Sequence, residues 1–379
     1  MSFVLTPEQE SIRETARRFA RERAPVAHLR HLRDTADPTG FSRAHWKEMA
    51  ELGLAGITLS CEHGGAGLGW ADLGLVLEEL GRTLAPTPLI STLVLGATAI
   101  ALGGDAAQKE EHLPRVTTGE RILALAHEEG TRHAPYLARA HATRDGGGFL
   151  LSGEKVLVLD GHVADALIVV ARTSGDVADR EGLTLFLVPA SARGLSTTRT
   201  PLIDSRGAAR VHLDAVSVAG SDVLGGVDRG ADLLDPVLDR AAASLAAEML
   251  GSLSEVFERT LAYLKERRQF GVPIGSFQAL KHRAAQMFCE VELTRSVVMD
   301  ALRALDEGRP DAPLLASAAK ARATDTFLLT AAEAVQMHGG VGVTDELDIG
   351  LFLKRARVAE MTFGGAAYHR DRFGRLSGY

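Results

Sequence analysis

Cysteine is nearly absent from this chain of 379 residues: Cys61 and Cys289 are its two thiols. They stand far apart and match no metal-ligand spacing, so neither a disulfide framework nor a metal site is expected, and a reducing compartment is favoured. Aromatic residues amount to only 5%, yet 46% hydrophobic and 24% charged residues describe a packed globular chain rather than a disordered or fibrous one. An excess of positive charge is missing too. The 42 Lys and Arg face 49 Asp and Glu for a net charge of −7, with no basic run, which excludes a groove held to nucleic acid by phosphate neutralisation. No long stretch is free of both charge and glycine, and the opening MSFVLTPEQE lacks a basic start followed by an apolar run. Neither a membrane span nor export is indicated, and a cytoplasmic protein is expected.

What is present divides into three. Thr6 can cap a first helix, with Pro7 at its first position and Gln9 completing a capping box ahead of an apolar stripe at Ile12, Ala16, Phe19 and Ala20. A helix from a Ser42 cap to a Gly53 stop follows, then a glycine-rich loop, Gly64 to Gly69, and further helices to about Gly119. No strand precedes that loop and no Lys-Ser or Lys-Thr pair follows it, so it reads as a tight turn rather than a phosphate cradle. From about Arg121 to Gly226 the pattern turns to short apolar runs such as ALIVVAR and LTLFLVPA, with no helical periods between them. An antiparallel barrel or sandwich is expected there, not a dinucleotide-binding βαβ sheet. From Asp228 onward the helical period returns in lengths that suit a four-helix bundle. The expected organisation is an α+β chain with an N-terminal helical domain over 1–119, a middle β-domain over 120–226 and a C-terminal helical bundle over 227–379.

The most informative segment is YLKERRQFGVPIGSFQALKHRAAQM, residues 263–287. Three-residue spacing puts Arg267 and Phe270 on one helical face, Gly271 and Pro273 break the helix, and Gln278 begins the next. A guanidinium, a ring and an amide at one corner suit a cofactor with a phosphate and a ring system. An exposed basic helix end, Lys265 to Arg268, complementing its own dipole is the other reading.

Here the chain resembles the acyl-CoA dehydrogenase family of flavoproteins over nearly its whole length. RRQFGVPIGSFQ is in register with that family's R-x-x-F-G segment, and EHGGAGLGWADLGLVLEELGR, LIDSRGAARVHLDAV and AVQMHGGVGVTDELDIGLFLKRAR are similar to further family stretches. The resemblance implies FAD, bound at its pyrophosphate and adenine end across a subunit interface by Arg267, Phe270 and Gln278, then Gln336, Gly339 and Gly340, with Gln269 a weaker member. It also implies a tetramer, an acyl-CoA substrate, an electron-transfer flavoprotein as acceptor, and removal of an α-proton by a carboxylate.

That carboxylate is missing from both of the family's usual places. Gly364, in TFGGAAY, stands at one; Ala241 stands at the other, followed by Ala242 where an Arg is usual. No residue is assigned as catalytic. At the flavin-ring end, AHEEGTRHAP keeps Glu128 and Gly130 but has His127 at a usual hydroxyl position, and Leu157, Val158 and Leu159 replace an aromatic, an aliphatic and a hydroxyl. Apolar side chains there cannot polarise a flavin. Glu128, Glu129, Asp239, Glu248 and Glu360 read as ordinary carboxylates rather than substitute bases, His338 as a helix-end cation, and His369 and Arg370 as channel or packing residues. The pattern implies the non-catalytic subunit of a heteromeric acyl-CoA dehydrogenase, lending residues to a paralogous subunit that acts on a bulky, steroid-like acyl-CoA. The alternatives are a self-sufficient dehydrogenase with a displaced base, or a flavin fold diverted to oxidase, oxygenase or structural work.

Overall fold

The computed structural model describes residues 4–379. Its first helices are α1 (Pro7–Glu22), α2 (Val26–Asp34), α3 (Arg43–Glu51), α4 (Trp70–Arg82), α5 (Thr98–Gly103) and α6 (Ala106–Thr117). The capping box at α1 forms, with the Gln9 N–H donating to Thr6 Oγ1 at 3.2 Å and the Thr6 N–H donating to Gln9 Oε1 at 3.3 Å. Ala16, Phe19 and Ala20 are buried along its stripe. Ser42 caps α3, and Gly53 takes φ 75° after it. The glycine-rich loop is a tight turn, as expected: Gly64 and Gly67 have φ of 78° and 65°, and a Cβ on Gly65 would meet the Leu59 carbonyl oxygen at 2.1 Å.

The strands are β1 (Leu123–Ala126), β2 (His141–Asp145), β3 (Gly148–Leu159), β4 (Ala166–Arg172), β5 (Leu183–Pro189), β6 (Leu195–Pro201), β7 (Gly207–Ala219) and β8 (Val223–Leu224). One sheet holds them in the order β6-β7-β3-β2-β4-β5-β8, with β1 on β4. Pairing is antiparallel along most of the sheet, and β1 adds a parallel partner, Leu123 opposite Ala166 to Ala126 opposite Val169. Both strands are buried along their lengths, the uninterrupted apolar burial expected of parallel pairing.

The remaining helices are α7 (Gly230–Glu266), α8 (Gln278–Asp306), α9 (Ala312–His338), α10 (Ile349–Met361) and α11 (Ala366–Leu376), with a small hairpin of β9 (Arg268–Gln269) and β10 (Val272–Pro273) between α7 and α8. Among the described residues no helix is long and apolar enough to cross a membrane. The chain forms two compact units, one of 1–31, 70–85 and 242–379, the other of 32–69 and 86–241. Within the first, α4 and α7 approach at backbone distance. A Cβ on Gly81 would lie 2.1 Å from the Glu248 carbonyl oxygen, and one on Gly251 would lie 1.8 Å from that of Glu78. Ser252 Oγ donates to the Gly81 carbonyl at 2.8 Å across the same seam.

Rigid carbonyls cannot yield as a side chain would, so Gly251→Ala should cost about 1–3 kcal/mol. Urea unfolding checks this as a lower midpoint at unchanged slope.

Candidate functional site

All seven residues expected to bind the adenine and pyrophosphate end lie in the first unit, and all are exposed. One sequence expectation is corrected. The helix stops at Glu266, so Arg267 and Phe270 do not share a helical face. Instead β10 folds back on β9, with Val272 opposite Gln269 and Pro273 opposite Arg268. The two turn residues, Phe270 and Gly271, have φ of 53° and 82°, the paired positive values of a tight two-residue hairpin turn. Glycine suits its place, but a phenylalanine is strained in its own, and its ring is 92% exposed with only an edge contact to Phe277 at 6.1 Å. Gln278 opens α8 as expected.

Gln336, Gly339 and Gly340 sit at the end of α9. Gly339 has φ 65° and ψ −145°, a region open essentially to glycine alone, and a Cβ on either glycine would have nothing within 4 Å. Tyr263 joins the two groups. Its ring stacks on His338 at 4.3 Å, its hydroxyl donates to the His338 carbonyl at 3.3 Å, and its own carbonyl accepts the Arg267 N–H at 2.8 Å. His338 is buried, with Nδ1 2.7 Å from the Ala334 carbonyl, and so is a packing residue of this junction.

The two positions at which the resemblance leads one to expect a base are apolar or closed. Ala241 and Ala242 are buried, and Gly364 has φ 98° in the turn between α10 and α11. Sequence reading missed the group beneath that turn. Lys320, fully buried on α9, donates to the Gly364 carbonyl at 2.8 Å, the Glu360 carbonyl at 3.3 Å and Thr324 Oγ1 at 3.2 Å. Burial pulls its ammonium down to about 7. A lysine inside the small-residue run LASAAKARA was the signal available. His369, also buried, sets Nε2 2.9 Å from the Phe363 carbonyl, which favours packing over lining a channel, while Arg370 pairs with Asp325. Glu248 is taken by Arg355 in a buried ion pair at 2.7 Å.

The residues expected near a flavin ring, His127 to Gly130 and Leu157 to Leu159, lie in the second unit. The loop after β1 is fixed to β3 by Val156 N–H donating to the Glu128 carbonyl at 2.8 Å and by buried Lys155, which reaches Glu129 at 2.6 Å. Glu129 also accepts the backbone N–H groups of Arg139 and Ala140. Burial by itself would raise the Glu128 carboxyl, but the imidazoles of His127 and His133 outweigh it and hold it well below the usual carboxylate range. Leu157 occupies a bulge in β3 at φ 52° and is 39% exposed, while Val158 turns into the core. The outward ends therefore suit a phosphate-bearing ligand, with Arg267 and open glycines, and the β3 positions offer no side-chain donor.

Family models described as the acyl-CoA dehydrogenase N-terminal, middle and C-terminal domains match residues 6–120, 124–216 and 228–377. The chain is 31% identical to "Probable acyl-CoA dehydrogenase YngJ" of Bacillus subtilis (strain 168), covering 98% of each. Among solved structures it is similar to a single-residue variant of the "Tcur3481-Tcur3483 steroid ACAD", at 35% identity and a TM-score of 0.88 over 98% of this chain and 97% of that one. It is also similar to "PigA with FAD and proline", at 25% identity and a TM-score of 0.92 over 100% and 99%.

Since Lys320 binds its proton less tightly folded than unfolded, the unfolded chain holds the extra proton between about pH 7 and its ordinary value. Stability should therefore rise with pH across that window, by about 2 kcal/mol from pH 7 to 9. Paired urea titrations of the wild type and Lys320→Met at those two pH values should show this increment only in the wild type.

Proposed function

Because the chain belongs to the acyl-CoA dehydrogenase family, we propose that it is the non-catalytic subunit of a heteromeric dehydrogenase. In this reading it lends one half of an FAD site to a paralogous chain. The observation that carries the proposal is a contrast: the adenine-end residues are exposed and open, while both positions for the catalytic carboxylate are filled by Gly364 and Ala241. FAD, when bound, supplies the hydride acceptor for α,β-dehydrogenation of an acyl-CoA thioester. Arg267 presents paired donors to its pyrophosphate, Phe270 offers a ring to pack on, Gln278 and Gln336 offer amides, and Gly339 and Gly340 let the main chain come close.

The other carboxylates support the same reading. Glu248 is held by Arg355 and Glu129 by Lys155, so neither is available to abstract a proton. A bulky, steroid-like acyl group is favoured by the likeness to the Tcur3481-Tcur3483 steroid structure. Exposed free thiols at Cys61 and Cys289 suit a reducing cytoplasm.

Co-expression with a paralogue encoded by a neighbouring gene tests the assignment. The chain purified alone should be colourless and inactive on acyl-CoA, and the assembled pair yellow and active. Arg267→Ala in this chain should weaken FAD retention in the pair by about 10- to 100-fold, the worth of a charged hydrogen-bonded contact. A homomer that carries one flavin per chain and turns over acyl-CoA defeats the proposal.

A further inference from the structure

Three metal-ligand side chains converge in the loop after β1, in the sequence H-E-x-x-x-x-H. The side chains of His127, Glu128 and His133 are 6%, 13% and 5% exposed, and their donor atoms all lie within 4.8 Å of one another. Glu128 Oε1 is 3.2 Å from His127 Nε2 and in close contact with His133 Nδ1. Its Oε2 is turned to the backbone, where it accepts the Ala134 N–H at 3.4 Å. The imidazole planes stand at 75° with ring centroids 6.0 Å apart, and one nitrogen of each ring faces the same carboxylate oxygen. His127 Nε2 faces that carboxylate oxygen, while its Nδ1 makes no hydrogen bond although the residue is only 5% exposed. Leaving a buried polar atom in that condition costs about 1–3 kcal/mol.

We propose that His127, Glu128 and His133 form a binding site for a divalent transition metal of the zinc(II) class. Two imidazoles and one carboxylate are the donor set that such a borderline cation takes, and three protein ligands leave a position open for water or another ligand. The carboxylate brings one negative charge into the cluster, and the adjacent ammonium of Lys155 is balanced by Glu129 at 2.6 Å, so it does not oppose the metal as an unpaired charge. The ligands stand on a fixed backbone: the His127 carbonyl accepts from Lys155 Nζ at 3.4 Å and the Glu128 carbonyl from Val156. The expectation of no metal rested on cysteine spacing, and this donor set contains no cysteine.

The test uses the full chain, alone and in the co-expressed pair, stripped with chelator and titrated with cobalt(II) and zinc(II). One cobalt per chain should bind with the intense visible bands of a four-coordinate site, and zinc should displace it. His133→Ala and His127→Ala, shown folded by circular dichroism, should each weaken binding by at least about 100-fold, beyond the usual loss on removing an outer-shell partner. Glu128→Gln, nearly isosteric, serves if an alanine variant does not fold, and should also weaken binding. His141→Ala, at an exposed histidine on β2, should bind as wild type does. No stoichiometric uptake by the folded wild type, or uptake unchanged in the ligand variants, overturns the proposal and leaves a hydrogen-bonded His-Glu-His cluster.

Discussion

The second unit is organised around one buried ion pair, Lys155 with Glu129. A lysine with no exposed surface is costly to keep charged, and a carboxylate at 2.6 Å offsets that cost only if its remaining lone pairs are also used. They are: Glu129 accepts two backbone N–H groups from the start of the following segment. The pair thereby closes the loop from His127 to Ala140 against β3, and it fixes both the convergence of His127, Glu128 and His133 and the strand from which Leu157 projects. Removal of either partner would strand a charge in the interior, a loss of about 3–5 kcal/mol.

The first unit solves a different problem. Its candidate residues face outward and make few contacts with the rest of the chain, so their positions are set indirectly by the ends of the helices that carry them. Tyr263 stacked on His338 holds the end of α7 to the end of α9, and the hairpin turn projects Phe270 from that fixed point. Rigid anchors behind an open surface suit a ligand completed from outside. The second unit shows the reverse, with its charged groups Lys155, Glu129 and Glu128 held inside by one another, by backbone N–H groups and by the neighbouring imidazoles.

Much of this was legible in the sequence where local chemistry decides the outcome. The Thr6-Gln9 capping box, the Ser42 cap and the glycine turn all depend on neighbours a few residues away, and the apolar runs from Arg121 onward predicted the sheet. The short helix α2 went unnoticed because VAHLRHLRD has no cap signal before it. The hairpin at Phe270 was read as a helical face because spacing alone does not reveal a residue with positive φ. The contacts of Lys320 under Gly364 and of the His127 cluster are not legible for another reason: composition can flag a lysine among small residues, but its partners depend on side-chain rotamers or on segments brought together by folding, 44 residues apart in the first case.

Gly339 separates two ideas that are commonly joined, namely that a residue tolerant of change is one that touches little. Nothing surrounds the position a side chain would take, so a survey of variants guided by exposure would score it as permissive. Its backbone conformation says the opposite. In the free chain a replacement would act through main-chain strain, loosening the last turn of α9 without disturbing a neighbour, so a loss of stability at this site would be a signature of dihedral angles rather than of packing.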